Sequence, residues 1–267
     1  MLAHGADEIV ALAARCLIEQ QHDVNGWHVD IWTMDDEDVD AAIAVYAAVL
    51  SGGATDPVLA LLAEDGLDLN TYLYDEDQGK GDITRADVTE LTAAASIVAD
   101  PGCDIDLMHM PNVPKMSRRK SDSGFDIAIV NLKDQANADD LEVGERLDVV
   151  SVKHTIDSSA GGMRWKLVDS LSDRELSHAY ITTQLRVLNG RLRQEGRTKE
   201  SAARIYYFLR GFPNSPSVGL FAVGVADPGL RDDLAHHVDL LPDAGNSERT
   251  FRMILLPGLR TLQDRCP

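Results

Sequence analysis

Two short apolar stretches of the chain carry polar residues of types that can do chemistry. Asp126 opens the first stretch, D-I-A-I-V, and Ser151 and Lys153 lie near the end of the second, R-L-D-V-V-S-V-K-H-T. Side chains alternate across a β-strand, so Ser151 and Lys153 share one face. The Lys153 ammonium then needs a carboxylate, a phosphate or water as its partner, because an unpaired buried charge is costly. These residues are the first candidate for a functional site.

The elements around these residues follow an order that the hydrophobic pattern predicts. A helix is predicted from Thr84 to Ala99, and three strands, a helical region and a late strand come after it. A further helix and a final strand complete the order. The segments predicted after the first helix are 104–110, 126–130, 146–155, 163–194, 217–226, 230–240 and 250–256.

The first third of the chain contains no catalytic signature. Helical periodicity is predicted over 4–22, a strand at W-H-V-D-I-W, and then a helix that Asp36 or Asp38 caps and that runs to Leu50. A short helix at P-V-L-A-L-L-A-E-D-G and a strand at L-N-T-Y-L-Y-D are also predicted. We therefore expect residues 1–80 to form an α/β or helical layer that docks a partner or packs on a core. Residues 81–267 are expected to form that core, with a C-terminal strand and helix added to it.

The composition is that of an ordinary soluble protein of 267 residues, of which 44% are hydrophobic. No apolar run approaches the length of a membrane span, and the first residues lack the basic region and apolar core of a signal peptide. The three cysteines have no spacing typical of a zinc site or a disulfide framework, which indicates free thiols. We expect a cytoplasmic protein without membrane association.

The formal net charge of −19 argues against a protein that grips nucleic acid by bulk electrostatics. The charge is uneven, however, because bases gather at 115–120 and again between Arg186 and Arg204, on either side of the candidate site. A local positive rim on an acidic body is one interpretation of this pattern. A solvated surface with scattered charge is the other.

The order of elements, with these residues on them, resembles the PD-(D/E)XK nuclease superfamily, whose fold is restriction-endonuclease-like. The resemblance covers residues 84–226. It implies an α/β fold with a core of a helix, a mixed sheet of about four strands and a second helix, and with an N-terminal, mostly helical layer. Matched to the family motif, Glu90 is the glutamate of the first helix, Asp126 the aspartate of the second strand and Lys153 the lysine of the third. Gln184 matches a glutamine that some members place on the following helix.

The family pattern breaks at Ser151, because an acid normally stands two positions before the lysine. Some restriction enzymes of the superfamily resemble this S-V-K sequence, and their missing acid comes from the next helix. The candidates for that role here are Asp157, Asp169, Asp173 and Glu175. We favour Asp169, because Trp165 and Leu167 indicate that its segment is anchored to the core.

The resemblance implies hydrolysis of phosphodiester bonds with Mg²⁺, or with Mn²⁺ as the alternative. Mg²⁺ prefers oxygen ligands in octahedral geometry. The implied ligands are Asp126, Glu90, Val152 through its carbonyl, and Asp169. Lys153 would orient or polarise the attacking water or neutralise developing charge, and Ser151 would hold a metal-bound water.

DNA is the expected substrate, and RNA is left open. The residues expected to contact the nucleic acid come from the basic segment, from the end of the lysine-bearing strand and from the helix after it. They are Lys115, Arg118, Arg119, Lys120, His154, Arg164, Trp165 and Lys166. The negative charge of the chain implies that a partner protein, such as a helicase or a sensor, delivers the DNA. The architecture is similar to that of the nuclease subunits of bacterial antiphage systems, of which the Hachiman type is the nearest.

Each match also has a simpler alternative. Lys153 can be a surface lysine paired with Asp148 or Asp157, Asp126 a turn residue, and Glu90 a solvent-facing helix residue. A second hypothesis therefore keeps the nuclease fold without cleavage, as a nucleic-acid-binding or assembly subunit. The serine in place of the usual acid is its main support.

Overall fold

The computed structural model describes most of the chain. The described residues are 6–53, 80–101, 103, 105–110, 125–132, 145–155, 160–171, 178–194, 196, 207–208, 217–244 and 248–266. Within them no helix has both the length and the apolar character needed to cross a membrane.

A mixed sheet of seven strands forms the centre of the protein, and the strand order is β1-β2-β7-β6-β5-β4-β3. The strands are β1 Leu17–Val24, β2 Trp27–Thr33, β3 Met108–His109, β4 Ile127–Asn131, β5 Arg146–Thr155, β6 Val218–Ala226 and β7 Glu248–Leu255. The four strands from β5 through β6 and β7 to β2 are parallel neighbours, and the pairs at both edges are antiparallel. The expected α/β class is confirmed. The expectation of about four strands is wrong, because β7 and then β2 and β1 continue the sheet beyond β6.

Helices cover both faces of the sheet. They are α1 Ala6–Ala13, α2 Asp36–Gly53, α3 Lys80–Val98, α4 Ala160–Ser170, α5 His178–Gln194 and α6 Arg231–Val238. Short 3-10 turns lie at Ile105–Leu107, Pro228–Leu230 and Leu259–Asp264.

The two faces of the sheet bury separate apolar clusters. On the face that we call the α3 face, Val150 and Val152 pack with residues of α1, α2 and α3. On the opposite face, the α4 face, Val149 packs with residues of α4 and α5, such as Leu167 and Leu185. Burial on both sides explains why β6 reads as an almost continuous apolar run, since each large apolar side chain removed from water contributes roughly 1.5–3 kcal/mol.

The helix predicted over 4–22 ends at Ala13, and a β-hairpin follows it. Asn25 and Gly26 both have positive φ, 50° and 81°, between the antiparallel strands β1 and β2. This geometry is typical of the two-residue Asn-Gly hairpin turn. Pairing with β2 outweighs the helical periodicity of the residues after Ala13, so that part of the prediction is wrong.

The described N-terminal residues contribute two strands as well as two helices, so "mostly helical" does not describe them. Asp35, rather than Asp36, caps α2: its Oδ1 accepts from the backbone N–H of Asp38 at 2.9 Å, and the Asp38 carboxylate accepts from the N–H of Asp35 at 3.0 Å. The helix and strand predicted between Pro57 and Asp75 lie outside the described residues. The domain division at residue 80 stays a prediction.

Candidate functional site

The structure brings Asp126 and Lys153 together. Asp126 stands just before β4, and its N–H donates to the Val150 carbonyl at 2.8 Å, which continues the antiparallel ladder between β4 and β5. Continuing that register places Asp126 opposite Ser151, on the face that Lys153 shares. The Lys153 Nζ atom lies 3.9 Å from Asp126 Oδ2. Two residues that the sequence placed on separate strands therefore form one carboxylate and ammonium pair.

One oxygen of Asp126 is held by groups from β5. Its Oδ2 accepts a hydrogen bond of 2.6 Å from the N–H of Val152 and a longer contact of 3.5 Å from Ser151 Oγ. Lys153 approaches the same oxygen. Among the described residues no hydrogen-bond donor is assigned to Oδ1. The carboxylate is thus oriented through one oxygen, and the other is available to a ligand.

The end of β5 is open toward β4, which explains how a side chain can bind its backbone. β4 pairs with β5 only over Arg146 to Val150, whereas β6 pairs with β5 as far as Thr155. The N–H of Val152 therefore has no ladder partner on the β4 side, and the Asp126 carboxylate takes that place. The carbonyl of Val152 points to the same side, since the two backbone groups of one strand residue face the same neighbour.

The part of β6 that lies beside Lys153 is closely packed against neighbouring side chains. Gly224 of β6 is the register partner of Lys153, and a Cβ atom placed there would lie 2.6 Å from Met253 Cε and 3.0 Å from Leu167 Cδ1. Helix α4 consequently lies directly against the sheet next to the site. Lys153 and Asp126 remain partly open to solvent, with side-chain exposures of 35% and 13%, while Ser151 is fully buried.

Glu90 lies on another side of the molecule. Its helix, α3, packs on the α3 face, whereas Lys153 and Asp126 belong to the α4 face. The Glu90 side chain is buried, and within the described part of the chain no hydrogen bond or ion pair joins it to Asp126 or Lys153. The structure does not bring this predicted ligand into contact with the pair, and its role stays a prediction.

The other two predicted members of the site belong to helices of the α4 face. Asp169 on α4 is exposed, and no described contact connects it with Asp126. The backbone of Gln184 lies in α5, but its side chain is outside what the structure describes. The remaining candidates for the missing acid, Asp157, Asp173 and Glu175, also lie outside the described residues.

The donors near Asp126 suit a hard cation only in part. Asp126 Oδ1, the Val152 carbonyl and Ser151 Oγ are oxygen atoms, which Mg²⁺ prefers, and Mg²⁺ needs only one or two carboxylates because it keeps several waters. Over the described ranges, however, no three His, Cys, Asp or Glu residues are grouped closely enough to hold a metal ion. The described site thus offers one carboxylate, and a metal ion there stays a prediction.

The structure describes the side chains of three residues that were expected to contact nucleic acid. Arg164 is buried, and its Nη1 donates to the Leu240 carbonyl at 3.3 Å, so its predicted role in binding stays a prediction. Lys166 is exposed, and His154 is half-buried on the face opposite Lys153. Lys115, Arg118, Arg119 and Lys120, together with the side chain of Trp165, lie outside the described residues.

The described residues nearest to the basic segment at 115–120 are Met110 and Phe125. Met110 follows β3, and Phe125 immediately precedes Asp126; both are buried. β3 and β4 pair as antiparallel neighbours through Met108 and Ile129. The described residues that flank positions 115–120, Met110 and Phe125, therefore lie at the end of the sheet where Asp126 lies.

Sequence reasoning missed a second polar cluster, which is buried. Arg252 of β7 contacts Asp30 of β2 at 2.7 Å and Asp100, just after α3, at 3.0 Å. Both Arg252 and Asp30 are almost fully buried. The signal was present in W-H-V-D-I-W and T-F-R-M-I-L-L, where a single charged residue occupies a strand position flanked by large apolar ones.

The fold and the site together define an α/β protein with a seven-stranded mixed sheet and a carboxylate and ammonium pair at an open strand end. Comparison with protein-family models found no match to this chain, and a search of curated proteins found none either.

Proposed function

We propose that the protein is a metal-dependent nuclease of the PD-(D/E)XK type that hydrolyses phosphodiester bonds of DNA. The observation that carries the proposal is the 3.9 Å approach of Lys153 Nζ to Asp126 Oδ2 at the open end of β5. A carboxylate and an amine at a partly solvent-exposed strand end are the groups that bind a divalent ion and a phosphate.

The order and direction of the strands support the proposal. Helix α3 is followed by the antiparallel strands β3, β4 and β5, then by helices α4 and α5, and then by β6, which runs parallel to β5. This is the order that the resemblance implies for a restriction-endonuclease-like core. In this proposal β7, β2 and β1 are additions to that core on the far side of β6.

The residues at the strand end have distinct tasks in this proposal. The Val152 N–H and the Ser151 hydroxyl hold Oδ2 of Asp126, so that Oδ1 is directed to the ligand. Lys153, as a compact cation, attracts the scissile phosphate and neutralises charge that develops on its oxygens. Asp126 and the Val152 carbonyl would hold a Mg²⁺ or Mn²⁺ ion, which would supply further charge stabilisation and lower the pKa of the attacking water.

The charge of the chain supports a partner protein. With a net charge of −19 the protein repels DNA at long range, so delivery by a helicase or a sensor subunit is part of the proposal. The basic segment at 115–120, which precedes Asp126 in the chain, is the part suited to phosphate contacts in this proposal. We place such a nuclease as an effector subunit of a bacterial antiviral defence system, similar to the Hachiman type.

A plasmid-cleavage assay with Mg²⁺ tests the proposal. The wild-type protein is expected to nick or cut the plasmid, and Lys153→Ala and Asp126→Asn are each expected to reduce the rate by about 10²-fold or more. Asp239→Asn is the matched control, because Asp239 is an exposed carboxylate beyond α6. Equal cleavage by the wild type and both site variants overturns the proposal.

The lack of three grouped metal ligands among the described residues favours a second candidate, a nuclease fold that binds or assembles without cleaving. In that case no cleavage occurs with Mg²⁺ or Mn²⁺, even with candidate partners added. Binding to labelled DNA would then persist, and Lys153→Ala would weaken it. An RNA substrate in the same assay separates the two nucleic acids.

A further inference from the structure

A polar trough lies on the α3 face, away from the Asp126 site. It has a volume of about 400 Å³, and residues from β1, β2, β7, β6, β5 and β4 line its floor, with the end of α3 at one wall. Its position is distinct from the proposed nuclease site, because Asp148 and Lys153 of β5 point to opposite faces and lie near opposite ends of the strand.

The charges in the trough disfavour an anion. Three carboxylates line it, Asp30, Asp100 and Asp148, against two guanidinium groups, those of Arg146 and Arg252. Both arginines are already paired, Arg146 with Asp148 and Arg252 with Asp30 and Asp100. His28 also lines the trough, with Nε2 3.1 Å from Asp30 Oδ1. With His28 counted as neutral, the formal balance of three carboxylates and two arginines is −1.

The end of α3 adds to this negative field. Ile97 and Asp100 lie at the wall of the trough, and α3 ends at Val98. The carbonyl end of a helix carries a partial negative charge, equivalent to about half an elementary charge. A cation entering the trough thus meets both carboxylates and the negative end of a long helix.

The trough also presents a polar group that the described residues leave without a hydrogen bond. Thr250 is 5% exposed and lines the floor, and no described group bonds its hydroxyl. A hydroxyl oxygen accepts hydrogen bonds from N–H groups. Thr250 is therefore an acceptor that a cationic ligand in the trough can use.

We propose that the trough binds a small organic cation with amine or guanidine N–H groups. The cation is either a free molecule or the side chain of a Lys or Arg in a partner protein. In both cases the carboxylates balance the positive charge, and Thr250 accepts from an N–H group. The site needs neither the nuclease reaction nor its metal.

Titration calorimetry with agmatine and putrescine as probes tests this site, with inorganic phosphate as the anionic comparison. Agmatine is expected to bind saturably and more weakly at high salt, and phosphate is expected not to bind. Thr250→Val keeps the shape but removes the hydroxyl, and is expected to weaken agmatine binding about fivefold. Asp100→Asn removes one charge and is expected to weaken it about tenfold.

Asp239→Asn and Lys153→Ala are the controls, because both residues lie away from the trough, and neither is expected to change agmatine binding. Thermal unfolding of each variant checks that it is folded. Binding of an acetylated Gly-Arg-Gly amide in place of agmatine supports the inference and identifies a protein side chain as the source of the cation. The inference is overturned if no cationic probe binds at millimolar concentration, if phosphate binds equally well, or if Thr250→Val and Asp100→Asn leave binding unchanged.

Discussion

Arg252 donates two hydrogen bonds to one oxygen of Asp30, from Nε at 3.1 Å and from Nη2 at 2.7 Å. Its Nη2 also reaches Asp100, and its Nη1 donates to the Ser96 carbonyl at 2.7 Å. The guanidinium packs 4.5 Å from the ring centre of Trp32. A single side chain thus joins β7, β2 and the end of α3, so the N-terminal hairpin and the rest of the sheet are tied by a buried charge network.

Arg252→Met is expected to destabilise the protein by about 3–5 kcal/mol, because it leaves the Asp30 carboxylate buried without its counter-charge. Urea unfolding followed by circular dichroism measures the change. The double variant Arg252→Met with Asp30→Asn is the control. It is expected to lose less than the single variant, since the fully buried Asp30 carboxylate is then neutral and only the partly exposed Asp100 lacks its partner. A double variant that is less stable than the single one would contradict the account of the network.

The stability contributed by Asp100 is expected to depend on pH. Burial raises the pKa of the Asp100 carboxyl above its ordinary value of 3.8, and Arg252 offsets part of that effect. A carboxyl whose pKa is higher in the folded state contributes most to stability below its unfolded pKa, and this contribution is lost as pH rises through the folded pKa.

As the pH rises from about 3 to about 7, the stability of Asp100→Asn relative to the wild type is therefore expected to increase. The comparison uses urea unfolding of both proteins at each pH, so that the titration of other groups cancels to first order. Arg252, Asp30 and His28 interact with Asp100, and all three are retained in the variant. A relative stability that moves in the opposite direction would show that the attraction of Arg252 outweighs burial.

Ser151→Asp tests whether the strand end can hold a divalent ion. Ser151 is fully buried with Oγ 3.5 Å from Asp126 Oδ2, so the substitution places a second carboxylate beside the first. Without a divalent ion, like-charge repulsion and burial are expected to make Ser151→Asp about 1–3 kcal/mol less stable than the neutral control Ser151→Asn.

Mg²⁺ is expected to reduce the stability difference between Ser151→Asp and Ser151→Asn, because an ion that binds only the folded protein stabilises the folded state. Thermal unfolding with EDTA and then with Mg²⁺ measures both quantities. If Mg²⁺ leaves the gap between Ser151→Asp and Ser151→Asn unchanged, the strand end is not a place where two carboxylates can share a metal.

Cys16 is expected to be a slowly reacting thiol. Burial is the main cause that raises the pKa of the Cys16 thiol to about 11, and the nearby Asp38 carboxylate is a smaller one. The Cys16 Sγ atom lies 3.4 Å from the Leu12 carbonyl oxygen. The thiolate is the reactive form, so alkylation at pH 8 is expected to be about 10²-fold slower than in the urea-unfolded protein. Site-resolved mass spectrometry after iodoacetamide treatment measures the rate. Equal rates in the folded and unfolded protein would show that Cys16 is not buried in solution.

Local patterns in the sequence determined most of the individual strands and helices around the candidate site. The apolar runs of β4, β5 and β6 and the 3.6-residue period of α3 are properties of neighbouring residues, so they can be read without knowing the fold. The same alternation placed Ser151 and Lys153 on one face. The hairpin at Asn25 and Gly26 carried an equally local signal, which the helical periodicity before it obscured.

Only the tertiary structure decided which elements lie next to one another. The contact between Asp126 and Lys153 depends on the register of β4 against β5, and the connection between those strands contains no signal for that register. Likewise, the sequence placed Glu90 on a helix, but the packing of α3 on the opposite face of the sheet was required to separate it from the pair. Pairing and packing depend on residues far apart in the chain, whose combined burial outweighs local preference.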